Sequence, residues 1–412
     1  MDARRYHERT RNTRESILHG RRPDLENRPS PFKEYPFETV PVPPWLERLL
    51  RYGAGMSKPP YRTYSSAGGL YPVEIYVALT DGVYHFHPGK LALRRLREIE
   101  IEEPFLMLTG ILWRTAWKYD ARGYRHLYWD AGTLLANLLA LDSRLHVWTG
   151  FVDDEVIRLL GIDAHREATL ALVSFGDGEP RLPAQRFDRA RIDARPLSRS
   201  EVAFPHVFMT HENERLGSRE EVEAWRIPHD PGDGRFRLEG IEEVLLARRS
   251  TRDFADEPIE RDELVEILAG ALAAVPADVP PVGETYLYVR AVAGLEPGKY
   301  RFRPPDEFEP VRLGNYTWQA RLVCLEQDLA ARAAATVFFV ASLDEVIEKL
   351  GDRGYRWAQL EAGIRVGRVY LGAAARGLGA TATTFYDDEV SGFFHLPLST
   401  QPMLAAAVGK KK

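Results

Sequence analysis

The chain has 412 residues, a formal net charge of -5, 44% hydrophobic and 11% aromatic residues. That length suggests about two domains, each large enough to bury a core of its own. The small charge and dispersed basic residues exclude the electrostatic footprint of a nucleic-acid or anionic-membrane binder.

The N-terminus, MDARRYHERTRNTRESILHGRR, is charged throughout and lacks the apolar centre of a signal peptide. No run anywhere approaches about eighteen apolar residues, so a cytoplasmic location is expected. The single cysteine, Cys324, excludes an intrachain disulfide, fits a reducing compartment and reads as a core residue. Next comes RTYSSAGGLYPVEIYV (62–77), a small-residue loop entering a strand. Ser65, Ser66, Gly68 and Gly69 would let backbone amides and hydroxyls approach a flat ligand, although a plain tight turn needs the same residues. Neither GxGxxG nor GxxxxGK[ST] spacing is present, so no Rossmann or P-loop site is supported. VEIYVALTDGVYHFHP (73–88) is an alternating strand, a turn and a second aromatic strand. His85 and His87 share a strand face, but two candidate ligands without a third are better explained as a solvated face, and no metal is expected.

WKYDARGYRHLYWDAG (117–132) is followed by GFVDDEVIRLLGI (150–162), and residues 181–235, including RIPHDPGDGR, read as a linker with at most short elements. LLARRSTRDFADEPI (245–259) then places Arg248, Arg249, Ser250 and Arg252 at the exit of a helix, where guanidinium forks and a hydroxyl can hold a phosphate. A solvated basic helix end is the plainer alternative. A strand pair, TYLYVRAVAGLEPGKYRFRP (285–304), precedes EKLGDRGYRWAQLEAG (348–363) and an amphipathic helix of the LEAGIRVGRVYLGAAARG (360–377) kind. In RGLGATATTFYDDE (376–389), Gly377 and Gly379 can end that helix and turn the chain past a cofactor edge, with Ala380 and Thr381 offering free amides. Lys410 in the terminal AAVGKKK is a further candidate phosphate ligand, against a frayed basic tail.

Several of these segments occur twice in the same order. WKYDARGYRHLYWDAG and EKLGDRGYRWAQLEAG share Lys, Arg-Gly-Tyr-Arg and Ala-Gly at matching offsets, and the strand pairs and the Asp153-Asp154 and Asp387-Asp388 segments also match. A helix N-cap explains both aspartate pairs better than acid-base chemistry does. The halves, 1–180 and 236–412, each mix strands with helices, so an α+β class and a pseudo-twofold pair of domains are expected. Arg-Gly-Tyr-Arg, kept in both halves, reads as serving the fold. The copies differ after their lysines: Lys118 is followed by Tyr119, Lys349 by Leu350.

SSAGGLYPVEIYV, WKYDARGYR, the DAG or EAG that follows, RRSTRDF and GLGATATTF, in this order, resemble the FMN-dependent nitroreductase superfamily, and within it the SagB-type oxidases that dehydrogenate azoline rings in modified peptides. The resemblance covers most of both halves. It implies FMN at the interface of two nitroreductase-like domains fused as a pseudo-twofold dimer, with Arg248, Arg249, Ser250, Arg252, Gly379, Ala380, Thr381 and Lys410 from one half and Ser65, Ser66 and Gly68 from the other. The first half lacks RRSxR and the second reads PADVPPVGETY (276–286) in place of the serine-glycine loop, so one FMN per chain is expected. The catalytic lysine-tyrosine pair carries over to Lys118 and Tyr119, with thiazoline or oxazoline oxidation as the implied reaction and dioxygen as acceptor. The implied partners are the modified peptide and a cyclodehydratase or leader-peptide-binding protein. Two other readings are a nicotinamide-linked nitro or quinone reductase of the same fold, and a flavin-free peptide-binding scaffold.

Overall fold

The structure, a computed structural model, describes residues 1–183, 187, 191–230 and 235–412. The remaining positions of the expected linker lie outside the described residues. In the first half, helix α1 (Ala3–Arg9) precedes strand β1 (Thr39–Pro41), helix α2 (Pro44–Ala54) and strands β2 (Val73–Leu79), β3 (Gly82–His87), β4 (Ala92–Glu98) and β5 (Phe105–Ile111). Helices α3 (Leu112–Tyr119) and α4 (Gly123–Leu141), strand β6 (His146–Trp148), helix α5 (Asp153–Leu160) and strand β7 (Glu167–Ser174) follow, with shorter elements between them. The second half runs through α6 (Ile241–Ala247), α7 (Arg261–Leu272), β8 (Gly283–Val289), β9 (Gly298–Arg303), β10 (Glu307–Leu313), β11 (Ala335–Ser342), α8 (Leu343–Leu350), α9 (Gly354–Ala375), β12 (Gly379–Thr383), α10 (Asp387–Phe394) and β13 (Thr400–Gly409).

One sheet has the order β1-β4-β3-β2-β5-β7-β6 and the other β10-β9-β8-β11-β13-β12. Apart from β1, the two orders match strand for strand, and every pairing is antiparallel. The mixed α+β class follows. Both long helices lie in the interior: every residue of α4 but one, and all of α9 as far as Ala373, is buried. The amphipathic helix expected over 360–377 is therefore a core helix, and its arginines Arg365 and Arg368 are buried with it. A helix buried all round loses the one-sided polarity of a surface helix.

Helices α4 and α9 cross at the repeated Ala-Gly dipeptides. A Cβ on Gly132 would lie 2.4 Å from the Leu360 carbonyl oxygen, and one on Gly363 would lie 2.6 Å from that of Trp129. Only glycine permits this backbone contact. Trp129 donates through Nε1 to Gln359 Oε1 across the crossing at 2.6 Å.

The Arg-Gly-Tyr-Arg motifs do serve the fold, by reaching across it. Arg122 and Arg125 each donate to Asp387 at the start of α10, at 2.9 and 2.6 Å. Reciprocally, Arg353 and Arg356 donate to Asp153 at the start of α5, at 2.7 and 3.3 Å. Both aspartates are fully buried, and the N-cap positions belong to Val152 and Tyr386. The N-cap reading is thus corrected: these acids stand one residue inside their helices, because two arginines of the other half need a buried counter-charge. Burial works against ionisation of both carboxyls, and the paired arginines outweigh it and hold them below the usual carboxylate range.

The expected linker contains two short helices, Pro205–Asn213 and Arg219–Trp225, and it also contributes to the core. Glu214 is buried and accepts from Tyr124 Oη and Arg356 Nε at 2.6 and 2.9 Å, while Trp225 Nε1 donates to the Leu350 carbonyl at 2.9 Å. Cys324 is buried and free, as expected of a core residue. His85 and His87 are buried rather than solvated, each with Nε2 at 2.7 Å from a carboxylate, Glu74 and Glu34 respectively. Among the described residues no group of three or more His, Cys, Asp or Glu gathers as a metal cluster, and no helix is long and apolar enough to cross a membrane.

Candidate active site

Lys118 and Tyr119 form the last turn of α3, which Asp120 terminates with a φ of 48°. Arg21 fixes that terminus, donating to Asp120 Oδ1 at 2.9 Å and to the Trp117 carbonyl at 3.0 Å. The serine-glycine loop lies directly against the pair. A Cβ on Gly68, whose φ is +65°, would lie 3.0 Å from both Lys118 Nζ and Tyr119 Oη. The backbone conformation and the close approach both call for glycine here.

Burial lowers the Lys118 ammonium from its ordinary value, and the guanidinium groups of Arg28 and Arg252 lower it further by repulsion. Lys118 is nevertheless solvent-exposed along part of its side chain. Tyr119 is shifted the other way, raised by burial and by the nearby Asp130 charge. Its ring stacks on His126 at 3.9 Å with planes 8° apart. His126 is pushed down to about 3, by burial first and then by Arg122, so the imidazole beneath Tyr119 is neutral.

The second half closes the site through Tyr370 of α9. Its hydroxyl lies 3.0 Å from Ser250 Oγ, accepts from the Ala382 amide at 2.7 Å and also meets the Ser65 hydroxyl. Burial would raise this phenol, but the Arg248 guanidinium, 5.2 Å from the ring centroid, and these hydrogen bonds leave it lowered. Arg248 is 8% exposed and donates through Nε to the Thr63 carbonyl at 3.1 Å. Its terminal nitrogens have no partner among the described residues. Ser250 pairs with Ala380, whose carbonyl accepts from the Thr251 amide at 2.9 Å. Ser65, Ser250, Arg248 and the Gly379–Thr383 strand, distant in sequence, thus meet around one tyrosine.

Several residues expected at the site are otherwise engaged. Arg249 is exposed and turns its guanidinium onto the carbonyls of Leu246 and Arg248 at 2.7 and 2.6 Å, capping its own helix. Lys410 extends to Glu257 at 3.1 Å. Ser66 does not present its hydroxyl outward: its Oγ donates to Asp130 at 2.5 Å and accepts from the Tyr71 amide at 2.8 Å. Gly379, Ala380 and Thr381 lie in β12, paired with β13 on one side and, through Ala380, with Ser250 on the other, so this turn has less free backbone than expected. Gly377 ends α9 as anticipated, with φ +71° and the Leu378 amide bonded to the Ala373 carbonyl at 2.9 Å.

Two contributors were not singled out from sequence. Tyr370 had no signal beyond being the one aromatic of an aliphatic and small-residue segment. Asp130 had a clearer one, an acid inside the apolar run of α4, since such acids are rarely buried without a specific partner.

An α+β chain with two like-ordered antiparallel sheets and this cluster matches one family in particular. The nitroreductase family matches residues 245–410. A protein of Methanocaldococcus jannaschii assigned as a nitroreductase is 32% identical over 183 residues, 42% of this chain and 91% of that one. The chain belongs to the nitroreductase family, a family of oxidoreductases. The microcin B17-processing protein McbC of Escherichia coli is 24% identical over 147 residues, 28% of this chain and 54% of that protein. A crystal structure assigned as a nitroreductase from Anabaena variabilis superposes over 100% of this chain and 99% of its own with a TM-score of 0.82 and 25% identity.

Proposed function

We propose that this protein is an FMN-dependent dehydrogenase that oxidises thiazoline or oxazoline rings to azoles in a ribosomally made peptide. The observation that carries the reading is the contact of Lys118 and Tyr119 with the Gly68 turn, in one half only. In the other half Lys349 is exposed beside Glu345 and Leu350 is buried, so no proton-transferring pair is available there. Similarity to a microcin-processing protein favours a modified peptide as substrate, with a cyclodehydratase or leader-binding protein as partner.

The residues fit FMN. Arg248 is a nearly buried guanidinium with unclaimed terminal nitrogens, and a buried cation without a carboxylate calls for an anion. It would hold the phosphate with Ser250 and Arg252, while Gly69, with no atom within 4 Å of a Cβ position, leaves room above the loop. Bound there, FMN would supply the acceptor for the hydride that leaves the azoline ring. Lys118 takes the proton from the ring carbon as a neutral amine, and its lowered pKa increases that form near neutral pH. Tyr119, kept protonated, holds the substrate or relays the proton. Loss of one proton and one hydride turns the ring into the aromatic azole.

We further read the two halves as fused counterparts of a family dimer, with 181–235 between them and one working site. At the place related to the Ser65–Gly69 loop, the Val282 and Gly283 amides are both bound by Glu361 at 3.0 Å, and Arg365 pairs with the same carboxylate at 2.5 Å. Arg368 binds the carbonyls of Ala273 and Ala274, and the Val147 amide binds that of Pro276 at 2.7 Å. We read the segment 273–283, tied down by these bonds, as filling the space a second flavin would need.

Incubating purified protein with a thiazoline peptide should remove two hydrogens, read by mass spectrometry. A nicotinamide-linked nitro or quinone reductase remains the competing reading, because two relatives are assigned as nitroreductases. Reduction of a nitroarene by NADPH with no azoline oxidation would favour it.

A further inference from the structure

Asp130 lies in the Asp-Ala-Gly motif of α4, and its carboxylate faces the serine-glycine loop. It accepts from Ser66 Oγ at 2.5 Å through Oδ2 and from the Ala67 amide at 3.0 Å through Oδ1. One turn along the helix, Thr133 Oγ1 donates to the Ser65 carbonyl at 2.6 Å. Three successive residues of the loop are thus tied to one helix, and the next, Gly68, is the one whose added Cβ would meet Lys118 Nζ and Tyr119 Oη, both at 3.0 Å. Asp130 is 3% exposed and has no basic partner among the described residues, an unusual state for a buried acid. The related Glu361 also binds two loop amides but is neutralised by Arg365. The half that keeps Lys118 and Tyr119 has an acid without that neutralising arginine.

We propose that Asp130 is a positioning residue for Lys118 and Tyr119, acting through the Ser66–Gly68 loop that it anchors. The proposal rests on the role of Lys118 and Tyr119 given above. Burial pushes the Asp130 carboxyl up to about 7, its hydrogen bonds from Ser66 and Ala67 opposing that shift. Tyr64, Tyr71 and Tyr119 also face it. Lys118 in turn faces Arg28 of the N-terminal segment, Arg252 of the second half and the Tyr119 ring. The loop passes close to the lysine, so loosening it should open the part-buried ammonium further to water.

The test needs no turnover. Trace acetylation with acetic anhydride across a pH series, read peptide by peptide by mass spectrometry, gives the titration midpoint of Lys118, with the exposed Lys349 as internal control. Asp130→Asn cannot accept a hydrogen bond on both sides, and Ser66→Ala removes one of the two bonds. Both variants should move the Lys118 midpoint upward and leave the Lys349 profile in place. On a thiazoline peptide, Asp130→Asn should lower kcat about a hundredfold, the scale of a roughly 1 Å misplacement, with KM and flavin content near wild type. An unmoved Lys118 midpoint in both variants overturns the proposal, and so does a lower melting temperature in Asp130→Asn with no change at Lys118. If Asp130→Asn does not fold, Ser66→Ala decides. Absence of azoline turnover in the wild type would refute the function proposed above, and the labelling profile would still decide the role of Asp130.

Discussion

Arg248→Ala should weaken FMN binding about tenfold to a hundredfold. The side chain is 8% exposed, its Nε is committed to the Thr63 carbonyl, and its terminal nitrogens are left for a ligand. One charge-assisted hydrogen bond to phosphate contributes about 1.5–3 kcal/mol, and each 1.4 kcal/mol is about tenfold in affinity. The substitution also leaves the Thr63 carbonyl without its donor and removes the cation from the face of Tyr370. Folding must therefore be checked by circular dichroism before flavin dissociation constants are compared by fluorescence quenching. Arg248→Lys should fall between, since it keeps the charge and loses the planar fork. Arg249→Ala is the control, because that guanidinium caps its own helix and is exposed. Wild-type affinity in Arg248→Ala, or equal weakening by Arg249→Ala, would refute the reasoning.

Lys118→Ala should slow azoline oxidation about a hundredfold to ten-thousandfold while flavin stays bound, and Lys349→Ala should leave the rate unchanged in the same steady-state assay. Asp153→Asn and Asp387→Asn should each destabilise the fold by about 3 kcal/mol or more in urea titrations, since the first strips Arg353 of its counter-charge and leaves Arg356 with Glu214 alone, and the second strips both Arg122 and Arg125. Acid should act through the same groups. Asp387 is held at about 2 in the folded protein, below the 3.8 of an unperturbed carboxyl, so its contribution is present above about pH 4 and is lost as pH falls toward 2. A urea midpoint that does not move between pH 5 and pH 2 would contradict this.

The fold was legible where the sequence repeats itself. Matching Arg-Gly-Tyr-Arg and Asp-Asp segments predicted like halves, and the two sheets share a strand order. What those repeats do was less legible, because Arg122 and Asp387 are 265 positions apart and sequence alone does not say that each motif answers the other half's. The site was partly legible. Glycines announced the loop at Gly68, and Lys118 with Tyr119 stood out against Leu350. Arg249 and Lys410 were drawn in because they are cations near a candidate phosphate site, and nothing local reveals which way a guanidinium turns. Ser66 was expected to face a ligand, but its hydroxyl is bound to Asp130. Tyr370 joins four segments only in three dimensions. Helix α9 was misjudged as amphipathic because its arginines, buried against the segment 273–283, resemble a solvated face in the sequence.

The central claim is that one composite flavin site forms between unequal halves. Flavin released by denaturing a weighed sample of the pure, reconstituted protein, and measured by absorbance, tests it most directly. The account predicts one FMN per chain. A ratio near two would show that the segment 273–283 does not block a second site, and a ratio near zero would contradict the flavin-dependent reading altogether.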